Sequence, residues 1–265
     1  MKIKTAVFSL ALVSFSGIAN AAEDFTGSLY LPGQGKVLSN TSLDFSRAKF
    51  KGRAGGGADD NLYANQSFTY GVTNEFSVIG AIGNNFNYQT DKYNNDGNFD
   101  YEIGGKYNME SGRLVGQVGL SYYTYDPKNW YGRRTPEKWY KEVQVNAQLG
   151  YKLDGDLTPY TSFTAYNRDS FTSHRSTDYS WFAGAHKTLD KIAIDAGIRY
   201  DFATYGEGTF NNNNNTNRAY VQAEANYFLS DTVALGVFGD YLIGGTRFDN
   251  VRYDYTAGIN VKALF

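Results

Sequence analysis

The sequence predicts an all-β chain, closed as an antiparallel up-and-down barrel of about twelve strands that spans a lipid layer, and three observations predict it. The first is the last stretch, Tyr253 to Phe265. Its alternate residues Tyr253, Tyr255, Ala257, Ile259, Val261, Ala263 and Phe265 are apolar or aromatic, with Asp254, Thr256, Gly258, Asn260 and Lys262 between them. That is the period of two of a strand with one apolar face. At about 3.3 Å per residue it is long enough to cross hydrocarbon when tilted, for which roughly 9 to 11 residues suffice. The second observation is at the other end of the chain. Lys2 and Lys4 precede an apolar run from Ala6 to Ile18, followed by the small residues Ala19-Asn20-Ala21. This reads as a secretory signal peptide over residues 1–21, too short for a membrane-spanning helix. The third is that no later run is apolar enough for a helix to span lipid, so hydrophobicity is spread thinly, as a two-faced sheet requires.

A chain that ends on Phe265 after such a strand resembles the bacterial outer-membrane β-barrel proteins. The resemblance is to the superfamily, through its closing strand and terminal aromatic. It implies an insertion signal made of Tyr255, Ile259, Val261 and Phe265 and read by the barrel-assembly machinery. It also implies a place in the outer membrane of a Gram-negative cell, with outer-membrane lipid and lipopolysaccharide as surroundings.

Composition fits this. The chain has 23 Tyr, 18 Phe and 29 Gly but only 2 Met and no Cys, so disulfides and thiolate metal sites are excluded. The formal charge of −2 becomes −4 without Lys2 and Lys4, which argues against nucleic acid as a partner.

From Ala22 to Lys36 the chain has Pro32, three glycines and no sustained alternation, and is expected to be an irregular leader to the barrel or a plug inside it. The barrel proper is expected over 37–265. Its strands fall at 37–50, 61–72, 75–88, 98–109, 113–125, 139–151, 157–168, 178–188, 191–203, 217–229, 232–243 and 252–265. Short connections surround Thr73-Asn74, Glu110-Ser111-Gly112, Asp154-Gly155-Asp156, Leu189-Asp190 and Ser230-Asp231, all rich in tight-turn residues. Long ones cover 54–60, 90–97, 126–138, 169–177, 204–216 and 244–250. Alternation of short turns and long loops is the pattern of a transmembrane barrel with its turns in the periplasm.

Clean alternation assigns the faces. Outward lie Phe99, Tyr101, Ile103 and Tyr107; Val143, Val145, Ala147 and Leu149; Ile192, Ile194, Ala196 and Ile198; Val221, Ala223 and Ala225; and Val233, Leu235 and Val237. The third and seventh strands do not alternate cleanly and are left unassigned. Tyr70, Phe76, Trp139, Tyr151, Tyr200, Tyr227, Tyr241 and Phe265 cluster near strand ends, as girdle aromatics do. Inward lie the acids Asp100, Glu102, Glu142, Asp195, Asp201, Glu224, Asp240 and Asp254 and the bases Lys106, Arg199, Arg252 and Lys262, eight against four. A dry core would pay heavily for so many charges, whereas a hydrated lumen does not. Arg199 is placed to pair with Asp201, and Glu224 and Asp240 are expected to be close neighbours on adjoining strands.

Catalytic chemistry has little support. His174-Arg175-Ser176 has the His-x-Ser spacing of the outer-membrane phospholipase, but Thr177-Asp178 follow where that family has Asn-Gly, and the stretch reads as a loop with no residue to orient the imidazole. The paired aspartates of the omptin proteases lie at the extracellular rim, whereas Asp154-Gly155-Asp156 falls in a periplasmic turn. His186 reads as a lumen residue near the periplasmic end of its strand. The third long loop, Asp126 to Lys141, mixes Lys128, Arg133, Arg134, Lys138 and Lys141 with Trp130, Tyr131, Trp139 and Tyr140, which suits lipopolysaccharide phosphates or an inward fold. Neither Gly55-Gly56-Gly57 nor the run Asn211 to Asn215 carries a binding motif. No catalytic residue, metal or cofactor is expected. The expected function is a narrow porin-like channel for small hydrophilic solutes, cation-preferring or passing neutral solutes; the alternatives are an outer-membrane enzyme of lipase or protease type and a structural or adhesion barrel with a closed lumen.

Overall fold

A computed structural model describes residues 24–50, 59–87, 98–125, 140–169, 175–205, 216–245 and 251–265. Twelve strands alternate with turns: β1 (Val37–Phe50), β2 (Asp59–Gly71), β3 (Phe76–Asn87), β4 (Asn98–Ser111), β5 (Leu114–Tyr125), β6 (Tyr140–Tyr151), β7 (Leu157–Asp169), β8 (Arg175–Leu189), β9 (Ile192–Tyr205), β10 (Thr216–Ser230), β11 (Val233–Gly245) and β12 (Val251–Leu264). Every strand pairs antiparallel with its sequence neighbours, and β12 returns to pair with β1, Leu38 opposite Leu264 and Arg47 opposite Tyr255. The sheet therefore has no edge, the condition for a sheet to sit in lipid, where an unpaired backbone group costs several kcal/mol.

The turns at one end are short and carry the residues their backbone demands. Gly112 opens the β4–β5 turn at φ +62° and Asp190 the β8–β9 turn at φ 47°, left-handed values that Gly, Asn and Asp tolerate best. The connections at the other end run from five residues (170–174 and 246–250) to fourteen (126–139). The expected signal peptide, His174, the basic part of the third long loop with Trp139, Gly55-Gly56-Gly57 and Asn211 to Asn215 lie outside the described residues.

The outer surface is apolar. Ile103 is 68% exposed, and Val145, Leu149, Ile198, Leu235, Val237 and Ile259 stand out with it. An exposed apolar surface of this extent is untenable in water and suits a hydrocarbon solvent. Tyr70, Phe76, Tyr151, Tyr227 and Phe265 are exposed toward the short-turn end and Tyr241 toward the other. No helix among the described residues is long and apolar enough to cross a membrane.

Two strands that alternation left open now have faces. On β3, Phe76 and Ile82 stand outward while Ser77 and Gly83 are buried opposite Lys106 and Asp100. Ile79 and Ala81 share the inward parity, so small and apolar residues occupy both faces and blur the pattern. On β7, Phe163 is exposed and Tyr160 buried, and Tyr166 follows Tyr160 in parity. Aromatics inside and Thr161 outside hide the period. One expectation is corrected: Ser176 is on β8 and not in a loop. The ladder continues through Arg168 opposite Ser176 and Ser176 opposite Tyr205, so pairing on both sides carries the strand past its apolar part.

Candidate functional site

The lumen has two walls of different electrical character. On β8 to β12 each described inward cation has a carboxylate. Arg199 Nε lies 3.0 Å from Asp201 Oδ2 and its Nη1 2.9 Å from Asp240 Oδ2, with the guanidinium 4.4 Å from the centre of the Tyr220 ring. Arg218 Nη1 is 3.5 Å from Asp254 Oδ2, to which the Tyr220 hydroxyl also donates at 2.9 Å. Lys262 Nζ is 2.7 Å from Glu224 Oε1, which also accepts from Asn260 at 2.8 Å. The expected Arg199–Asp201 pair is present. Glu224 and Asp240 are diagonal neighbours on the adjoining strands, Asp240 opposite Gln222 and Glu224 opposite Phe238, and each carboxylate has its own cation.

On β1 to β5 the acids have no such partners. Asp100 is held by hydroxyls, accepting from Tyr63 at 3.0 Å and from Tyr123. Asp44 and Glu102 have no cation within ion-pair distance among the described residues. Asp44 was missed by sequence reasoning because β1 carries Ser39, Thr41 and Arg47 on its outward parity and gives no apolar face to read against. Of the remaining expected lumen residues, Glu142 accepts from Gln144 at 2.5 Å and Lys106 stands opposite Ser77 and Gly119. Arg252 has its backbone on β12, with its side chain outside the described residues.

At the short-turn end the leader enters the barrel. Phe25, 1% exposed, packs edge-on against Phe228 with ring centres 5.6 Å apart, beside Ala193, Ala234 and Leu264. Burying one Phe contributes about 2 to 3 kcal/mol. Asp24 Oδ2 accepts from His186 Nε2 at 2.6 Å and from the Thr188 hydroxyl, while its Oδ1 takes Thr26 N at 3.0 Å. Burial alone would raise the Asp24 pKa, but the hydrogen bonds from His186, Thr188 and Thr26 outweigh it and hold the carboxyl well below its ordinary range. Behind His186 stands Asp195, 3.5 Å from Nδ1 and accepting from the Tyr160 hydroxyl at 2.6 Å. Lys262 Nζ donates to Thr26 O at 3.0 Å, and Asn108 Nδ2 to Leu29 O at 3.2 Å. These contacts lie mainly on β8 to β12. A cleft of about 770 Å³ remains between the leader and the β4–β8 side, lined in part by Asn108, Val115, Lys152 and Tyr160.

The leader's docking site had a sequence signal. Leu38, Ala193, Phe228, Ala234 and Leu264 all sit on inward parity at the short-turn end, where a hydrated lumen would hold polar residues. An apolar ring inside a polar tube implies something apolar to fill it.

No family model and no curated protein matches the sequence. Solved structures match in fold. An outer-membrane channel from Pseudomonas putida F1 aligns at TM-score 0.62 and 12% identity, over 90% of this chain and 98% of that one. The β domain of the Bordetella autotransporter BrkA aligns at 0.56 and 12%, over 88% and 100%. The NanC porin aligns at 0.51 and 10%, over 83% and 98%. With its edge-free twelve-stranded sheet, apolar belt and charged interior, the chain is a β-barrel of the outer-membrane type.

Proposed function

We propose that the protein is a non-enzymatic outer-membrane channel for small hydrophilic solutes, cation-preferring, whose periplasmic mouth is narrowed by its own leader. The observation that carries this reading is the excess of acid on one lumen wall, where Asp44, Asp100 and Glu102 stand against Lys106, beside a wall whose charges are internally paired. Low-dielectric walls focus that field along the lumen, where screening extends only about 8 Å at physiological salt. The channel and porin among the aligned structures support the solute-transport part, and the leader's contacts on β8 to β12 support the narrowing. On this reading the basic residues of the third long loop would meet lipopolysaccharide, and Tyr255, Ile259, Val261 and Phe265 would serve assembly.

Planar-bilayer recording of refolded protein, with and without residues 22–36, tests the proposal. Discrete conductance that rises on deletion is expected. A folded, inserted barrel that conducts in neither form is a structural barrel and overturns the channel reading; unchanged conductance on deletion places the leader outside the ion path.

A further inference from the structure

Directly against the leader lies a second cavity of about 240 Å³ that joins residues of both walls. Lys106 of β4 reaches it. The stem of Lys106 lies over Gly119, where a Cβ would meet its Cγ at 3.3 Å, so the absence of a side chain at 119 leaves the lysine its place. Arg199, Arg218 and Lys262 each hold a carboxylate, and Lys262 also holds the Thr26 carbonyl. Among the described residues Lys106 has no carboxylate within ion-pair distance. Its charge feels Glu102 of the same strand without a direct ion pair, and its side chain lines the cavity.

The same cavity offers the opposite complement. Asn40 of β1 lines it, and its buried Oδ1 has no hydrogen-bond partner among the described residues. Glu224 and Asp195 line it as well, and Ser67 and Thr69 add hydroxyls. A buried acceptor without a donor costs about 1 to 3 kcal/mol, which an N–H from a ligand would recover. Charge along the path narrows the choice of ligand further. A net anion would have to pass Asp44, Asp100 and Glu102 to reach Lys106, and a simple cation would find Lys106 repelling it. A solute with both charges meets neither obstacle.

We infer that this cavity is a binding site for a small zwitterion, one carboxylate on Lys106 and one ammonium toward Asn40 Oδ1 and the Glu224 and Asp195 carboxylates. The inference rests on the channel reading for how the solute arrives, but binding itself does not require conduction. The volume admits a solute of amino-acid size.

Titration calorimetry on the full mature chain in detergent tests it with three probes of one carbon frame. L-Alanine carries both charges, L-lactate replaces the ammonium by hydroxyl, and alaninol replaces the carboxylate by a hydroxymethyl group. Saturable binding of alanine, about tenfold or more tighter than either analogue, is expected, since a charge-assisted hydrogen bond is worth about that much. Lys106→Met should weaken alanine by a similar factor and leave alaninol unchanged. Equal affinity for lactate or alaninol, or no saturable alanine binding, overturns the assignment. If Lys106→Met fails to fold by its heat-modifiable migration, the three-probe series on the unsubstituted protein decides alone. Liposome swelling separates the two readings: alanine binding without swelling removes the channel and keeps the site, and swelling without alanine binding does the reverse.

Discussion

The two walls of the lumen are built from the same alternation and yet do different work. On β8 to β12, Arg199, Arg218 and Lys262 each reach a carboxylate two strands away, His186 bridges Asp24 and Asp195, and the leader docks there through Asp24, Phe25 and Thr26. On β1 to β5, Asp100 is held by two tyrosines, and Asp44 and Glu102 by no cation among the described residues. Paired charge fixes geometry, because each partner orients the other, and its field cancels within a few ångströms. Unpaired charge fixes little and projects its field into the lumen. On the proposed channel reading, the first wall is the scaffold for the leader and the second would supply the selectivity.

If that division is right, a substitution on the paired wall should cost stability and one on the other wall should cost selectivity. The largest effect is expected from Arg199→Met, which strands Asp201 and Asp240 and removes the contact with Tyr220. Partial hydration moderates the loss to about 2 kcal/mol, measured by urea unfolding of the refolded barrel. A loss near zero would mean that water already supports those carboxylates.

Next comes Asp24→Asn, which leaves the barrel intact but weakens the hydrogen bonds that hold the leader to His186 and Thr188. Leader opening should rise about tenfold, read as protease access to residues 24–36 or as added conductance noise. The same latch sets a pH dependence. Because the Asp24 carboxyl is held below its ordinary range, docking has its full strength above the unfolded carboxylate pKa of about 4 and loses it as pH falls further. Leader opening should therefore climb as pH falls below about 4, and Asp24→Asn should abolish that climb. A climb that survives the substitution would place the acid-sensitive contact elsewhere.

The smallest stability change is expected from Asp100→Asn, about 1 kcal/mol or less, since an amide oxygen still accepts from Tyr63 and Tyr123. Its effect belongs to ion preference, which should fall measurably. A stability loss exceeding that of Arg199→Met would reverse the assignment of the walls.

Much of this could be read from the chain alone. Strand number and near-exact strand ends followed from a period of two broken by turn residues, since a lipid-facing residue must be apolar wherever its neighbour faces water. The wall charges at Asp100, Glu102, Arg199 and Glu224 followed from the same parity. Of the pairings, Arg199–Asp201 followed from parity on one strand, whereas those between strands depend on register: Glu224 and Asp240 are set diagonally by the ladder, Gln222 opposite Asp240 and Phe238 opposite Glu224. Asp44 and the inward face of β3 were hidden where both faces mix polar and apolar residues. The leader's place was legible only in retrospect, from the apolar ring of Leu38, Ala193, Phe228, Ala234 and Leu264 inside a polar tube. A feature that violates the pattern is informative once the pattern has been established around it.

The most direct test of the two-wall account is the zero-current potential across a KCl gradient, recorded for the unsubstituted channel and for two variants that each remove acid from one wall. Asp44→Asn with Asp100→Asn and Glu102→Gln neutralises the unpaired wall; Glu224→Gln with Asp240→Asn neutralises paired acids. The account predicts a cation-selective potential in the unsubstituted protein, lost in the first variant and only weakened in the second, with selectivity strengthened at lower ionic strength. An anion-selective potential in the unsubstituted protein, or equal loss in both variants, would contradict it.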